Sequence, residues 1–275
     1  MPYQSLGRGV CQSGGQRNYQ PTVESCARYK LHDPKLMPEI QFQNWTLPAA
    51  FMLETDLPSE MVDGLNGYLD ELLENEERRS HAGTLVGQIQ HGQQLTMNHE
   101  APELKEFSDL ICGLGIEYIK HFSQQTANIL TGTRKVEVDE LWSVHSFEGD
   151  YNPIHDHGTK TIMGISVTCW TKVPQQILDQ PTAGTPNYSL YNSSGACDGY
   201  LAFQYGRNSL MDVERLRPPQ STALQPQVGK LYMFPSWLQH MVYPFKGEGE
   251  RRTIASNLNV WDITDQIAKQ TEEVN

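Results

Sequence analysis

Apolar and polar residues alternate with two different periods along the chain, and the period changes near residue 133. Before that point apolar residues recur at steps of three and four, which is typical of amphipathic helices. We predict one helix from Ser59, with Ser59 as its N-cap, and a second helix after Pro102, since proline suits a first helical turn. The apolar stripe of the first helix consists of Met61, Leu65, Leu69, Leu72 and Leu73, and that of the second consists of Leu104, Phe107, Ile111, Leu114, Tyr118 and Phe122.

Beyond residue 133 the chain consists of short runs rich in β-branched and aromatic residues, separated by turns, which predict seven or eight strands. Because the helices precede the strands instead of alternating with them, we expect an α+β fold with antiparallel sheets in a sandwich or barrel. No GxGxxG or P-loop pattern supports a doubly wound nucleotide-binding fold. The predicted strands cover residues 135–147, 161–173, 187–191, 199–205, 229–234, 239–243 and 251–261.

The N-terminal 36 residues contain few regularly spaced apolar side chains, so we expect residues 1–36 to form an extended or partly disordered arm. Residues 37–275 are expected to form a single domain. Within it, helical support is predicted over residues 55–130 and the strand core over residues 134–262. The stretch 175–217 is rich in Pro, Gly, Asn and Ser, which predicts long loops at the mouth of the barrel.

Length and charge exclude several classes of protein. The chain has 275 residues, with 21 Lys and Arg against 33 Asp and Glu, so its formal net charge is 21 − 33 = −12. A chain of this length buries about 70% or more of its unfolded surface, so it needs no metal or disulfide for stability. Any metal is therefore expected to be functional. The acidic balance disfavours binding to nucleic acid or anionic membranes through net charge, and favours small molecules or proteins as partners.

The five cysteines are widely spaced and never arranged as C-x-x-C, which argues against a disulfide scaffold and a thiolate zinc site. Residues 1–25 contain no apolar signal-like segment, and no stretch approaches the roughly 18 apolar residues of a membrane span. These features predict a cytoplasmic protein.

Candidate metal ligands come from three histidines. His155 and His157 are two residues apart, and in a strand such residues point to the same face. His240 follows 240 − 157 = 83 residues later, after a strand-like run. Three imidazoles on one face could bind a metal and leave other positions open. An isolated H-x-H is more often a pair of surface or hydrogen-bonded histidines, so the wider context decides.

That context is the strand that begins at Arg251. Strand alternation places Arg251, Thr253, Ala255, Asn257 and Asn259 on one polar face, while the other face is mostly apolar. A guanidinium and a hydroxyl beside a metal could hold a carboxylate inside the barrel. The alternative is that Arg251 lies on a solvated face or pairs with Glu248 or Glu250.

At this point the sequence resembles the iron(II)- and 2-oxoglutarate-dependent oxygenases, most of all those common in marine bacteria and their phages, distantly similar to prolyl 4-hydroxylases. The resemblance implies a double-stranded β-helix, a jelly-roll or cupin-like barrel, with N-terminal supporting helices, and extends over most of residues 40–262. It rests on Gly-Asp-Tyr-Asn-Pro leading into His-Asp-His at 149–157, on Asp-Gly-Tyr-Leu-Ala-Phe at 198–203, on Phe-Pro-Ser-Trp at 234–237 leading to His240, and on the segment 244–257.

The resemblance also implies roles for individual residues. His155 and His240 match two iron ligands, Arg251 matches the residue that binds the distal carboxylate of 2-oxoglutarate, and Thr253 matches its hydroxyl partner. Tyr151 matches a tyrosine near the cosubstrate, although an aromatic packed in the barrel wall is an equal interpretation.

The sequence departs from the family pattern at the carboxylate ligand. Two residues after His155 it has His157 where related enzymes have Asp or Glu. Three neutral imidazoles leave an iron(II) site one positive charge higher than two imidazoles and a carboxylate. Alternatively, a local bulge could turn Asp156 toward the metal and His157 away from it.

We therefore predict an enzyme, an oxygenase that uses iron(II), 2-oxoglutarate and molecular oxygen. It is expected to be a hydroxylase that couples decarboxylation of 2-oxoglutarate to succinate with oxidation of a peptide or small polar substrate. One alternative is a three-histidine dioxygenase or hydrolase that uses no 2-oxoglutarate. Another is a non-catalytic binding or virion-associated module on the same fold. The sequence indicates neither the oligomeric state nor the exact substrate.

Overall fold

The computed structural model describes residues 28–29, 40–46, 50–80, 87–126, 132–179, 197–205 and 221–265. The helices are α1 (Ser59–Glu74), α2 (Lys105–Thr126), which follows a 3-10 turn at Pro102–Leu104, and α3 (Gln175–Leu178). The strands are β1 (Arg28–Tyr29), β2 (Ile40–Thr46), β3 (Phe51–Asp56), β4 (Gln93–Thr96), β5 (Arg134–Ser146), β6 (Asn152–His155), β7 (Gly164–Lys172), β8 (Leu201–Gln204), β9 (Ser221–Leu224), β10 (Lys230–Pro235), β11 (Gln239–Val242) and β12 (Arg251–Asp262).

The strands form two antiparallel sheets. The large sheet has the order β1-β2-β3-β10-β7-β12-β5-β4 and the small sheet has the order β6-β11-β8-β9. From β5 onward the chain crosses repeatedly between the sheets, so that four core strands of the large sheet face the four strands of the small one. This arrangement is the predicted double-stranded β-helix. Since the main helices precede it, the fold is α+β, as expected.

Two apolar clusters hold these layers together. Leu69 of α1 and Leu110 of α2 are fully buried in one cluster with Leu258 of β12, so both helices cover the outer face of the large sheet. Between the sheets, Phe203 of β8 and Phe234 of β10 meet edge to face with ring centroids 4.9 Å apart. The helices therefore support one face of the large sheet and leave its other face for the space between the sheets.

Both predicted helices are present, but the predicted N-cap is wrong. Pro58 occupies the N-cap position with extended backbone dihedrals, and no side chain caps the helix. Ser59 is already the first helical residue. Among the described residues, no helix is long and apolar enough to cross a membrane.

Six of the predicted strand runs correspond to β5, β7, β8, β10, β11 and β12, and the run 187–191 lies outside the described residues. The structure adds β2, β3 and β4, which extend the large sheet within or before the segment expected to be helical. Of the predicted arm, only residues 28–29 are described, and they pair with β2. Within the stretch predicted as long loops, residues 175–178 form the short helix α3.

Candidate active site

A cavity of about 890 Å³ extends from the space between the two sheets to the end of α1 and the segment after β4, where Asn75 and His99 line it. Strand β12 contributes Arg251, Thr253, Ala255 and Asn257 to its wall, while the intervening Ile254 packs toward the helices. The alternation predicted for this strand thus sorts its polar residues into the cavity. The same wall includes His155, His157 and His240.

The three histidines reach the cavity by different routes. His155 is the last residue of β6 and lies opposite His240 of β11 in the small sheet. His157 has already left β6, and its backbone N–H donates to the carbonyl oxygen of Ser236 at 2.9 Å. Its position is therefore fixed by a contact between distant segments and not, as expected, by alternation within a strand.

The ring nitrogens of the histidines converge. One ligand atom from each of the three lies within 4.8 Å of the others, and Nε2 of His157 is 3.2 Å from Nε2 of His240. In each ring, Nδ1 donates a hydrogen bond to an amide or peptide oxygen, so the neutral form of the ring has its lone pair on Nε2. The acceptors are Pro153 O for His155 at 2.6 Å, Leu238 O for His240 at 2.9 Å, and Asn257 Oδ1 for His157 at 3.0 Å.

This arrangement fits a metal ion. Burial, together with the neighbouring imidazoles, lowers the pKa of His157 to about 4 and that of His240 to about 3. Both rings are thus neutral near pH 7, in the form that binds metals. Two unprotonated nitrogens that face each other repel unless a cation lies between them. Two metal–nitrogen bonds of about 2.1 Å that meet at roughly a right angle span about 3 Å, close to the observed separation.

Asp156 does not join this cluster. Its side chain is exposed, and the group of potential ligands among the described residues contains only the three histidines. A bulge does occur in the pairing of β6 with β11, but it falls before His155, between the pairs His155–His240 and Asn152–Val242. The bulge therefore does not turn Asp156 inward.

Arg251 lies in the same cavity and is only 1% exposed. Its guanidinium donates to Gly199 O at 3.0 Å, to Tyr243 O at 3.4 Å and to Ser146 Oγ at 3.1 Å. Its Nε has no hydrogen-bond partner. Within the described part of the chain, no carboxylate forms an ion pair with Arg251.

Burial lowers the pKa of Arg251 to about 10, against the opposing effect of the Asp150 carboxylate. The ring of Phe245 also lies near the cation, with its centroid 5.9 Å from Cζ. A buried cation without a paired carboxylate is unfavourable, and an anion beside it would stabilise it.

The next residue, Arg252, shows that a buried arginine on this strand does not have to lack an ion pair. It is also 1% exposed, yet its Nε and NH2 bond the two oxygens of Glu250 at 2.8 and 3.1 Å, and NH2 lies 2.7 Å from Asp70. Glu250 also contacts Nδ1 of His145 at 2.6 Å. The alternative in which Arg251 pairs with Glu250 is therefore wrong, because Glu250 serves the opposite face of the strand.

Of the two remaining predicted residues, one lines the cavity and the other does not. Thr253 is half-buried and lines the cavity beside Arg251. Tyr151 does not line the cavity, and its backbone pairs with that of Gln88 in a two-way bridge. The structure thus brings Arg251 and Thr253 to the histidines but leaves Tyr151 outside.

Several cavity residues were not predicted from the sequence. Gln94 of β4 is 4% exposed, and its Oε1 has no hydrogen-bond partner, while Asn152 of β6 lies close by across the gap left by Gly87. Trp142 stacks on His157 with ring centroids 5.4 Å apart. Strand β4 is too short for its pattern to reveal Gln94, whereas Asn257 could have been singled out from its place on the polar face of β12.

Comparison with protein families gives one match. The family model described as "Putative 2OG-Fe(II) oxygenase" matches residues 140–257. The matched stretch runs from β5 to β12 and contains the three histidines, Arg251 and Thr253. No curated protein is significantly similar to the chain in sequence.

Several solved structures are similar at low identity. A prolyl-4-hydroxylase from Pseudomonas putida is 13% identical with a TM-score of 0.46, over 77% of this chain and 93% of that chain. A prolyl hydroxylase from Trichoplax adhaerens, in complex with a hypoxia inducible factor peptide fragment, is 12% identical with a TM-score of 0.47, over 79% and 86%. HygX from Streptomyces hygroscopicus, with nickel, 2-oxoglutarate and hygromycin B bound, is 10% identical with a TM-score of 0.45, over 76% and 82%.

Proposed function

We propose that this chain, whose residues 140–257 match the family model described as "Putative 2OG-Fe(II) oxygenase", is a hydroxylase that couples decarboxylation of 2-oxoglutarate to succinate with oxidation of a second substrate. The observation that carries the proposal is the buried Arg251, which lies without a counterion in the same cavity as three convergent histidines. An anionic cosubstrate beside a metal accounts for both features.

In this proposal His155, His157 and His240 hold iron(II) through Nε2. Their Nδ1 hydrogen bonds fix the rings and keep Nε2 available, as ligating histidines generally require. Iron(II) bound there would supply the activation of dioxygen, and the protein supplies orientation and exclusion of water. Asp156 is not part of this ligand set.

Arg251 and Thr253 hold the distal carboxylate of 2-oxoglutarate in this proposal. Arg251 and Thr253 both line the cavity, and in this proposal the guanidinium and the hydroxyl donate charge-assisted hydrogen bonds to the carboxylate, which are the strong ones. The carbonyl oxygens of Gly199 and Tyr243 and the hydroxyl of Ser146 orient the guanidinium before the cosubstrate arrives. Such preorganisation lowers the ordering cost of binding.

The proposed second substrate is a small polar molecule or a peptide segment. A cavity of about 890 Å³ lies near the upper end of the usual range for ligand pockets, about 300–1,000 Å³, and can hold a cosubstrate and part of a substrate together. The carboxamides of Gln94 and Asn152 on its wall suit a polar group. A single domain over residues 37–275 and a cytoplasmic location remain predictions.

The test is conversion of 2-oxoglutarate by the purified chain with iron(II), ascorbate and oxygen, followed by NMR of succinate. We expect slow succinate formation without a second substrate, and none above background in His240→Ala. If iron binds but 2-oxoglutarate is neither bound nor consumed, the chain is a three-histidine enzyme of another kind. If neither iron nor another divalent metal binds, it is a non-catalytic module.

A further inference from the structure

Asn257 is a buried amide on the cavity face of β12, only 3% exposed, and two hydrogen bonds converge on its side-chain oxygen. Nδ1 of His157 lies 3.0 Å from Oδ1. The hydroxyl of Ser166, on the neighbouring strand β7, donates to the same oxygen at 3.0 Å. Ser166 is itself 1% exposed, so water does not compete for this contact.

The support of His157 differs from that of the other two histidines. His155 and His240 each bond a backbone carbonyl two residues earlier in the chain, at Pro153 and Leu238. Both acceptors are backbone carbonyl oxygens, so neither depends on the side chain at its position. His157 alone among the three depends on a side chain, and that side chain lies 257 − 157 = 100 residues away. Its support can therefore be removed by one substitution.

The donors and acceptors match a histidine and not a carboxylate. An imidazole with an unprotonated Nε2 carries its proton on Nδ1 and needs an acceptor there. The Ser166 hydroxyl favours the amide orientation in which Oδ1 faces His157. An ionised carboxylate at position 157 would only accept hydrogen bonds, so it would meet Oδ1 as another acceptor unless the amide turned over to present its NH2 group.

Resting on the metal site of the proposed function, we propose that Asn257 is the positioning residue that makes His157 the third metal ligand. It holds the proton on Nδ1 and aims Nε2 at the position shared with His240. Trp142 restrains the ring plane by stacking on it at an interplanar angle of 21°. Together, Asn257, Ser166 and Trp142 stabilise an imidazole where the family pattern has a carboxylate.

The test compares Asn257→Leu, which is close in size but lacks the acceptor, with Asn257→Asp, which keeps an acceptor. Loss of an outer-shell partner of a ligating histidine weakens metal binding by about 10–100-fold, and we expect this for Asn257→Leu. Asn257→Asp should bind metal at least as tightly as the parent chain. Ser166→Ala should give a smaller loss, because it frees the amide to rotate but leaves the acceptor.

Metal affinity is measured anaerobically with iron(II), and with cobalt(II) whose absorption spectrum reports the ligand geometry. The matched control is Ser256→Ala, which removes a partly buried hydrogen bond of 2.8 Å to Glu140 O from the other face of the same strand. Urea unfolding of each metal-free variant gives its free energy of unfolding. Ser256→Ala should lose stability with unchanged metal affinity and spectrum.

Metal affinity of Asn257→Leu within twofold of the parent, or an equal loss in Asn257→Asp, would overturn the proposal. So would an affinity loss in Ser256→Ala as large as that in Asn257→Leu. The measurement uses neither 2-oxoglutarate nor turnover. If His240→Ala also leaves metal binding unchanged, the metal site of the proposed function is wrong and not merely the role of Asn257.

Discussion

Replacing Arg251 by Met removes the buried cation and keeps an unbranched side chain in its place. The pKa of Arg251 falls from 12.5 to about 10 because burial disfavours the charged form. This shift corresponds to about 3 kcal/mol, at about 1.4 kcal/mol for each unit of pKa. A carboxylate beside the guanidinium recovers this free energy, so Arg251→Met should weaken 2-oxoglutarate binding roughly 100-fold.

Isothermal titration of the metal-loaded protein with 2-oxoglutarate under anaerobic conditions measures this effect. Metal affinity should not fall, since Arg251 makes no contact with the histidines and its removal relieves the repulsion between its charge and that of the metal. The free energy of unfolding of the metal-free protein should change by only about 1 kcal/mol, because loss of an uncompensated buried charge offsets the loss of its three hydrogen bonds.

Arg252→Met is the matched control. Arg252 has the same burial and the same residue type, but it is paired with Glu250 and Asp70 on the helix side of β12. This variant should unfold more easily and bind 2-oxoglutarate normally. If Arg251→Met binds 2-oxoglutarate within threefold of the parent, or if Arg252→Met weakens binding equally, the assignment of Arg251 is wrong.

Three further predictions concern stability. Burial would raise the pKa of Glu250, but hydrogen bonds from His145 and Arg252 lower it to about 2, so its ionised form stabilises the fold above pH 4.5. About 3 kcal/mol of the free energy of unfolding is lost as the pH falls from 4.5 to 2. Glu250→Gln should remove this contribution, which urea unfolding at pH 5 and pH 3 measures. If the variant keeps the pH dependence of the parent chain, the prediction is wrong. A Cβ at Gly92 would overlap the carbonyl oxygen of His145, so Gly92→Ala should destabilise by about 3 kcal/mol or more, whereas Gly64→Ala in α1, with open space around it, should stabilise by about 0.5–1 kcal/mol. Equal melting temperatures for these two variants would refute the clash. A chelator should abolish succinate formation and leave the far-UV circular dichroism unchanged, because the apolar clusters contain none of the three histidines; a loss of the strand signal would show that the metal is structural.

The sequence predicted those parts of the site that depend on local alternation or on the type of side chain. Strand β12 has one face in the helix-covered core and one in the cavity, so its period of two is clear, and Arg251, Thr253 and Asn257 fall on the correct face. The strands β2 to β4 were not predicted, because short apolar runs have no clear period. β3 and β4 pair with the distant strands β10 and β5, whereas β2 pairs with the neighbouring β3.

The features of the site that the sequence did not predict depend on contacts between distant segments. His157 owes its place to the backbone of Ser236 and the side chain of Asn257, and neither contact leaves a trace in the local pattern. The prediction for Tyr151 rested on the resemblance alone, whereas its backbone forms hydrogen bonds with that of Gln88. The partners of neighbouring arginines likewise depend on which face of the strand each one occupies.

The proposed ligand set, which has no carboxylate, would couple the binding of metal to the binding of 2-oxoglutarate. With three neutral imidazoles, a bound divalent ion keeps its full charge in the cavity that also holds the unneutralised Arg251. The two cations repel each other until a dianion lies between them. Metal and 2-oxoglutarate should therefore bind with positive cooperativity, and by linkage each must tighten the binding of the other by the same factor.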